Sequence, residues 1–125
     1  MPITNKKYKP MEHLTLETFK EKIMDFETNK EWKFEGELPA IIDFSADAWC
    51  VPCKKLTPIL EKLSEEYLGK INIYKVNVDN EPEIYSAFNI RSVPTILFCK
   101  SNELPEISTG SLPEYKLKEI IENMI

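Results

Sequence analysis

Apolar residues recur along this chain in two patterns, three or four apart in some stretches and nearly continuous in others, and the alternation predicts an α/β fold. Leu16, Phe19, Ile23 and Phe26 keep helical spacing behind Thr15, which is suited to cap the helix. Charge then dominates from Glu27 to Glu37, and with Gly36 and Pro39 that stretch reads as a surface connection. Ala40 to Phe44 is a short apolar run of the kind a strand buried on both faces shows, interrupted only by Asp43. Leu56, Ile59, Leu60, Leu63 and Tyr67 return to helical spacing, and Gly69 is a natural stop. Ile71 to Val78 reads as a second interior strand, Asn80 and Pro82 open a short helix through Phe88, and Thr95 to Cys99 is a third strand. Ser101-Asn102 turns the chain into a strand over Leu104 to Thr109, which Pro105 assigns to a sheet edge. Ser111 and Glu114 have capping-box spacing before a final helix lined by Leu117, Ile120, Ile121 and Met124. Strands separated by helices predict parallel pairing, and the last two, joined by a tight turn, predict an antiparallel hairpin.

The 125 residues suffice for one domain with a real core. Residues 15–125 form that expected domain, and residues 1–14 read as a leader or short edge element. Sixteen basic and 21 acidic residues give a net charge of −5 without a basic block, so nucleic acid is not an expected partner. No apolar run approaches the roughly 20 residues of a membrane span, and the polar Met1 to Lys9 lacks the apolar core of a secretory signal. A soluble, cytoplasmic monomer is the expectation; a periplasmic or exported protein is the alternative if a signal peptide has been removed.

The three cysteines change the picture more than the charge does. Cys50 and Cys53 have two residues between them and Cys99 lies far off, an odd and sparse count that argues for one functional pair and against a stabilising disulfide framework. With one histidine, His13, and no second Cys pair, a four-ligand zinc site cannot be built from this chain, so no metal is expected. Gly36, Gly69 and Gly110 are the only glycines, and they make no dinucleotide fingerprint, so no bound cofactor is expected either. Cys50 falls where a buried strand ends and a helix begins. Free N–H groups and the helix dipole stabilise a thiolate there, and thiols so placed titrate near ~7 or lower instead of about 8.5. Cys53 follows on the same side of the first turn, within disulfide reach but deeper and less exposed, which makes Cys50 the attacking thiol and Cys53 the resolving one. Pro52 is tolerated because first-turn N–H groups have no intrahelical acceptor. Taken alone, the same spacing reads equally well as half a metal site or as two ordinary core cysteines. Cys99, inside an apolar strand, reads as a small inert core residue.

Trp49-Cys50-Val51-Pro52-Cys53-Lys54 resembles the Trp-Cys-Gly-Pro-Cys-Lys motif of the thioredoxin family. Pro58, five residues after the second Cys, matches that family's helix-kinking proline, and Asn77-Val78-Asp79 resembles the end of its third strand. Ile90-Arg91-Ser92-Val93-Pro94-Thr95 resembles the segment carrying its cis-proline, with Gly110 at the expected distance. The resemblance runs from about Thr15 to Ile125. Four departures stand out: Val51 for glycine, Ser45 where many members have an aromatic residue, Ser92 for glycine, and six residues instead of five between Asp43 and Cys50.

The resemblance implies a thioredoxin fold, a central mixed sheet flanked by helices, and an enzyme that reduces protein disulfides by dithiol–disulfide exchange. It implies a proton acceptor for the resolving thiol at Asp43, with Lys75 near that carboxylate. A solvated strand lysine explains Lys75 almost as well, and Lys54 reads as support for the thiolate or as another solvated lysine. It also implies a cis bond at Pro94 that lets the Val93 backbone pair with an extended substrate segment, and an apolar contact surface of Trp49, Val51, Pro52, Val93 and Gly110. Partners would be disulfide-containing client proteins and a reductase that supplies electrons. Two rivals keep the fold: a disulfide oxidase or isomerase, against which Pro52 speaks because oxidising relatives commonly place His there, and a non-catalytic binding module.

Overall fold

The computed structural model describes residues 8–125; Met1 to Lys7 of the predicted leader lie outside that range. In chain order the elements are β1 (Glu12–His13), α1 (Leu16–Lys22), β2 (Ala40–Ser45), α2 (Val51–Glu66), β3 (Asn72–Asn77), α3 (Pro82–Ala87), β4 (Thr95–Cys99), β5 (Glu106–Thr109) and α4 (Glu114–Met124). The strands form one mixed sheet in the order β1-β3-β2-β4-β5, an α/β fold. β1 and β2 run parallel to β3, while β4 is antiparallel to both β2 and β5.

Alternation along the central strands buries both faces. Ile42, Phe44, Val76 and Leu97 pack with Phe19 of α1 and Ile84 of α3, whereas Ile41, Ile73, Ile96 and Phe98 pack with α2 and α4. Leu56, Leu60 and Leu63 of α2 are fully buried in the second layer, each stabilising the fold by roughly 1.5–3 kcal/mol. All six residues of β2 are buried, Asp43 among them.

Three details depart from the expectations. Parallel pairing does not extend to β4, although α3 separates it from β3. The six-residue α3 leaves and rejoins the same end of the sheet, because Phe44, near the end of β2, is paired with Thr95, the first residue of β4. This return sets the loop before β4 beside the loop after β2. α1 ends at Lys22, so Phe26 lies past the helix, though its ring still meets Phe19 and Phe88 edge-on at 5.9 and 6.0 Å. The Ser111–Glu114 capping box does not form. Pro113 occupies the N-cap, which puts Ser111 two residues too early, and Glu114 Oε2 instead accepts from Lys62 Nζ at 2.9 Å. Thr15 does cap α1, in a reciprocal box with Thr18. The edge strand β5 begins just after Pro105, and β1 supplies the opposite edge beside β3.

Candidate active site

The loop between β2 and α2 is folded onto one acceptor: the Ala46 carbonyl takes the amides of Trp49 (3.1 Å) and Cys50 (2.8 Å). That turn delivers Cys50 to the N-cap of α2 in an extended conformation (φ −97°, ψ 106°), with Val51 and Pro52 opening the helix. The amide of Cys53 points at Cys50 Sγ from 3.2 Å, and no acidic residue sits in the first turn to oppose negative charge there. Cys50 and Cys53 are joined by a disulfide, their Cα atoms 5.3 Å apart. In this oxidised form both cysteines are buried, Cys50 retaining 5% of its surface and Cys53 none.

Access is set by the neighbours. Trp49 and Val51 are exposed at 63% and 58%, and Pro52 is exposed beside them. The indole is tied back to the end of β3: Trp49 Nε1 donates to Asp79 Oδ2 at 3.0 Å, and the Asp79 amide in turn donates to Asn77 Oδ1 at 3.0 Å. On the far side, Val93–Pro94 is a cis peptide, and the Val93 carbonyl oxygen lies 3.7 Å from Cys50 Sγ. Gly110 N–H donates to the Pro94 carbonyl at 2.8 Å. Its φ of +91° is a conformation that favours glycine, while the space where a Cβ would stand is open, so backbone geometry and not crowding makes the demand.

The strands beside the site bury two titratable side chains, Asp43 and Lys75. Asp43 is fully buried and neither of its carboxyl oxygens has a hydrogen-bond partner. Burial pushes its carboxyl pKa from 3.8 up to about 7; the Lys75 cation pulls the other way and the Asp47 carboxylate adds to the rise. Lys75 is the register partner of Asp43 across β2 and β3, and at 2% exposure it is not a solvated strand lysine. Its ammonium does not reach Asp43. It pairs with Asp47 Oδ2 and donates to Thr57 Oγ1 at 2.6 Å, and the Thr57 hydroxyl donates to the Cys53 carbonyl at 3.1 Å. Ser45, also buried, leaves its hydroxyl unpartnered.

The structure thus draws Cys50, Cys53, Trp49, Val51, Pro52, Val93, Pro94 and Gly110 to one end of the sheet, with Asp43 and Lys75 beneath. Lys54 is exposed on α2. Sequence reading assigned no part to Asp47, Thr57 or Asp79. The extra residue before Cys50 was a visible signal for Asp47, and a hydroxyl one helical turn after Cys53 was a weaker one for Thr57. Cys99, at the other end of β4, is buried as a free thiol whose pKa burial pushes up to about 12.

A bonded cysteine pair at a helix N-terminus, facing a cis-proline and rimmed by exposed apolar side chains, defines a site for thiol–disulfide exchange. The family model described as Thioredoxin matches residues 10–123. Thioredoxin of Borreliella burgdorferi is 48% identical over 110 residues, covering 88% of this chain and 93% of that protein. Thioredoxin M-type, chloroplastic, of Spinacia oleracea is 44% identical over 96 residues, covering 77% of this chain and 52% of that one. The crystal structure of chloroplastic thioredoxin z superposes with a TM-score of 0.76 at 25% identity, covering 93% of this chain and 95% of that one. The chain belongs to the thioredoxin family and is a thiol–disulfide oxidoreductase, a protein-disulfide reductase. The family implies disulfide-bearing client proteins and a reductase. Among the described residues, no helix is long and apolar enough to cross a membrane.

Proposed function

We propose that electrons leave this enzyme through Cys50 and are completed by Cys53. The reduced Cys50 thiolate attacks one sulfur of a client disulfide, forming a mixed disulfide and releasing the other client sulfur as a thiolate. Cys53 then gives its proton to the Asp43 carboxylate and attacks Cys50 Sγ. The Cys50–Cys53 bond forms, the mixed disulfide breaks, and two electrons have passed to the client. The observation that carries the order is the placement of Cys50 at the N-cap with the Cys53 amide aimed at its sulfur, while Cys53 is wholly enclosed. Trp49, Val51, Pro52, Val93, Pro94 and Gly110 form the surface that receives the client, with the Val93 carbonyl beside the reacting sulfur available to pair with an extended segment.

Lys75 serves as the cation of the buried group under the site. A partner reductase returns the electrons, and a protein that spends its life donating them belongs in a reducing compartment, the cytoplasm, working as a monomer. Cys53→Ser tests the order: it should accumulate mixed disulfides through Cys50, and a variant that captures no disulfide-bearing test protein contradicts it. A reduction potential near the about −270 mV general for thioredoxins supports the reducing direction, and one well above it supports an oxidase or isomerase instead.

A further inference from the structure

Asp47 sits in the turn that carries the extra residue between Asp43 and Cys50, and its carboxylate reaches inward from a 40% exposed position to the buried Lys75 ammonium. Lys75 is the register partner of Asp43, yet its cation is committed to Asp47 and Thr57, and both Asp43 oxygens are left without a donor. A buried carboxylate beside a free cation would be expected to take it as a partner. We infer that Asp47 is a positioning residue for the resolving step: by holding the Lys75 ammonium it withholds that cation from Asp43 and keeps Asp43 able to accept a proton from Cys53. The inference rests on the reading of Asp43 as that acceptor and extends it to a residue outside the contact surface.

The groups around Asp43 are few. β3 presents Lys75, β4 presents the register partner Ile96 and the loop presents Asp47, while α2 joins the cluster through Thr57, which accepts from Lys75 and donates to the carbonyl of the resolving Cys53. Lys75 favours the ionised carboxylate and Asp47 disfavours it, consistent with the direction found for Asp43. With Asp47 removed, the opposing negative charge disappears and the ammonium loses its carboxylate partner. Asp43 is then the remaining carboxylate next to it. A carboxylate that remains ionised to lower pH is a weaker base, and it takes the Cys53 proton less readily at neutral pH.

The test uses the reduced full-length protein with 13C-carboxyl-labelled aspartate, comparing wild type with Asp47→Ala, Asp47→Asn and Asp47→Glu. In Asp47→Ala the Asp43 midpoint should fall by about one pH unit or more, the size expected when an opposite charge becomes available within a few ångströms. Asp47→Asn should give a smaller fall and Asp47→Glu should restore the wild-type midpoint. The resolving rate, read as release of the second thionitrobenzoate after reaction with dithiobis(nitrobenzoate), should lose its dependence on pH over the same interval in Asp47→Ala. An Asp43 midpoint in Asp47→Ala that stays within about 0.3 pH units of wild type, or rises, overturns the positioning role. Asp43→Asn reports separately on the acceptor. If it resolves as fast as wild type at every pH, the acceptor reading falls and the positioning role falls with it. That failure is seen in the rates, whereas failure of the positioning role alone is seen at the carboxyl of the resting protein.

Discussion

The β2–β4 ladder has a cysteine near each end, and the two have been put to opposite uses. Past the C-terminal end of β2, Cys50 sits at a helix N-cap with an amide aimed at its sulfur and exposed Trp49 and Val51 on either side. At the other end Cys99 pairs in register with Ala40, fully buried among apolar side chains, with its thiol pushed up to about 12. The side chains are chemically identical. Reactivity follows from the donors around the sulfur, and Cys50 has a helix N-terminus with the Cys53 amide aimed at it.

The largest effect should separate the two thiols outright. Cys50→Ser should abolish reduction of a test protein such as insulin, while Cys99→Ser should remain within about twofold of wild type, since a buried thiol whose pKa is pushed up to about 12 stays protonated and inert. In the reduced native protein, iodoacetamide followed by mass spectrometry should label Cys50 and leave Cys99 unlabelled until the chain is unfolded. Labelling of Cys99 in the folded protein would break the comparison.

Next comes the pH dependence of stability. Between about pH 4 and 7 the native Asp43 holds a proton that the unfolded chain has released, so unfolding sheds that proton and Asp43 costs stability as pH rises through this window. The cost is nil below the unfolded value of 3.8 and complete above about 7. Asp43→Asn should therefore gain on wild type between pH 4 and 8 by up to about 4 kcal/mol, measured by urea denaturation at both pH values. A stability difference that does not change with pH contradicts the upward shift of Asp43.

Smaller effects concern the scaffold of the reactive end. Gly110→Ala should destabilise by about 1 kcal/mol, because a side chain is strained at positive φ, and it should weaken client turnover through the hydrogen bond to Pro94. Thermal unfolding and insulin reduction read the two parts. The smallest change is expected for Trp49→Phe, which removes the indole donor to Asp79 and should cost about 0.5–1 kcal/mol with the activity retained in part.

Much of this fold was legible because its signals are local. The continuous apolar runs of β2 and β4, the helical spacing of α2 and α4 and the Thr15 cap all report on neighbours within a few residues. Local signals also misled. Phe26 has helical spacing but lies beyond the end of α1, serving an aromatic cluster with Phe19 and Phe88 that the chain assembles from separate elements. Ser111 has the right spacing for a capping box and the wrong neighbour, since Pro113 starts the helix and Glu114 is taken by Lys62. The direction of β4 was misjudged because a short α3 returns the chain to the end of the sheet it left.

The cysteine pair, its place at a helix N-terminus and the proline between the sulfurs were set by residues adjacent in the chain, and their chemistry is that of a single helical turn. What surrounds them was decided by the tertiary fold. The register of β2 on β3 brings Lys75 against Asp43, the loop turn carries Asp47 onto the same ammonium, and α2 adds the Thr57 hydroxyl. Hydrogen bonds among buried charges are chosen by competition between groups far apart in sequence, and spacing along one chain does not record which of two carboxylates a lysine will reach.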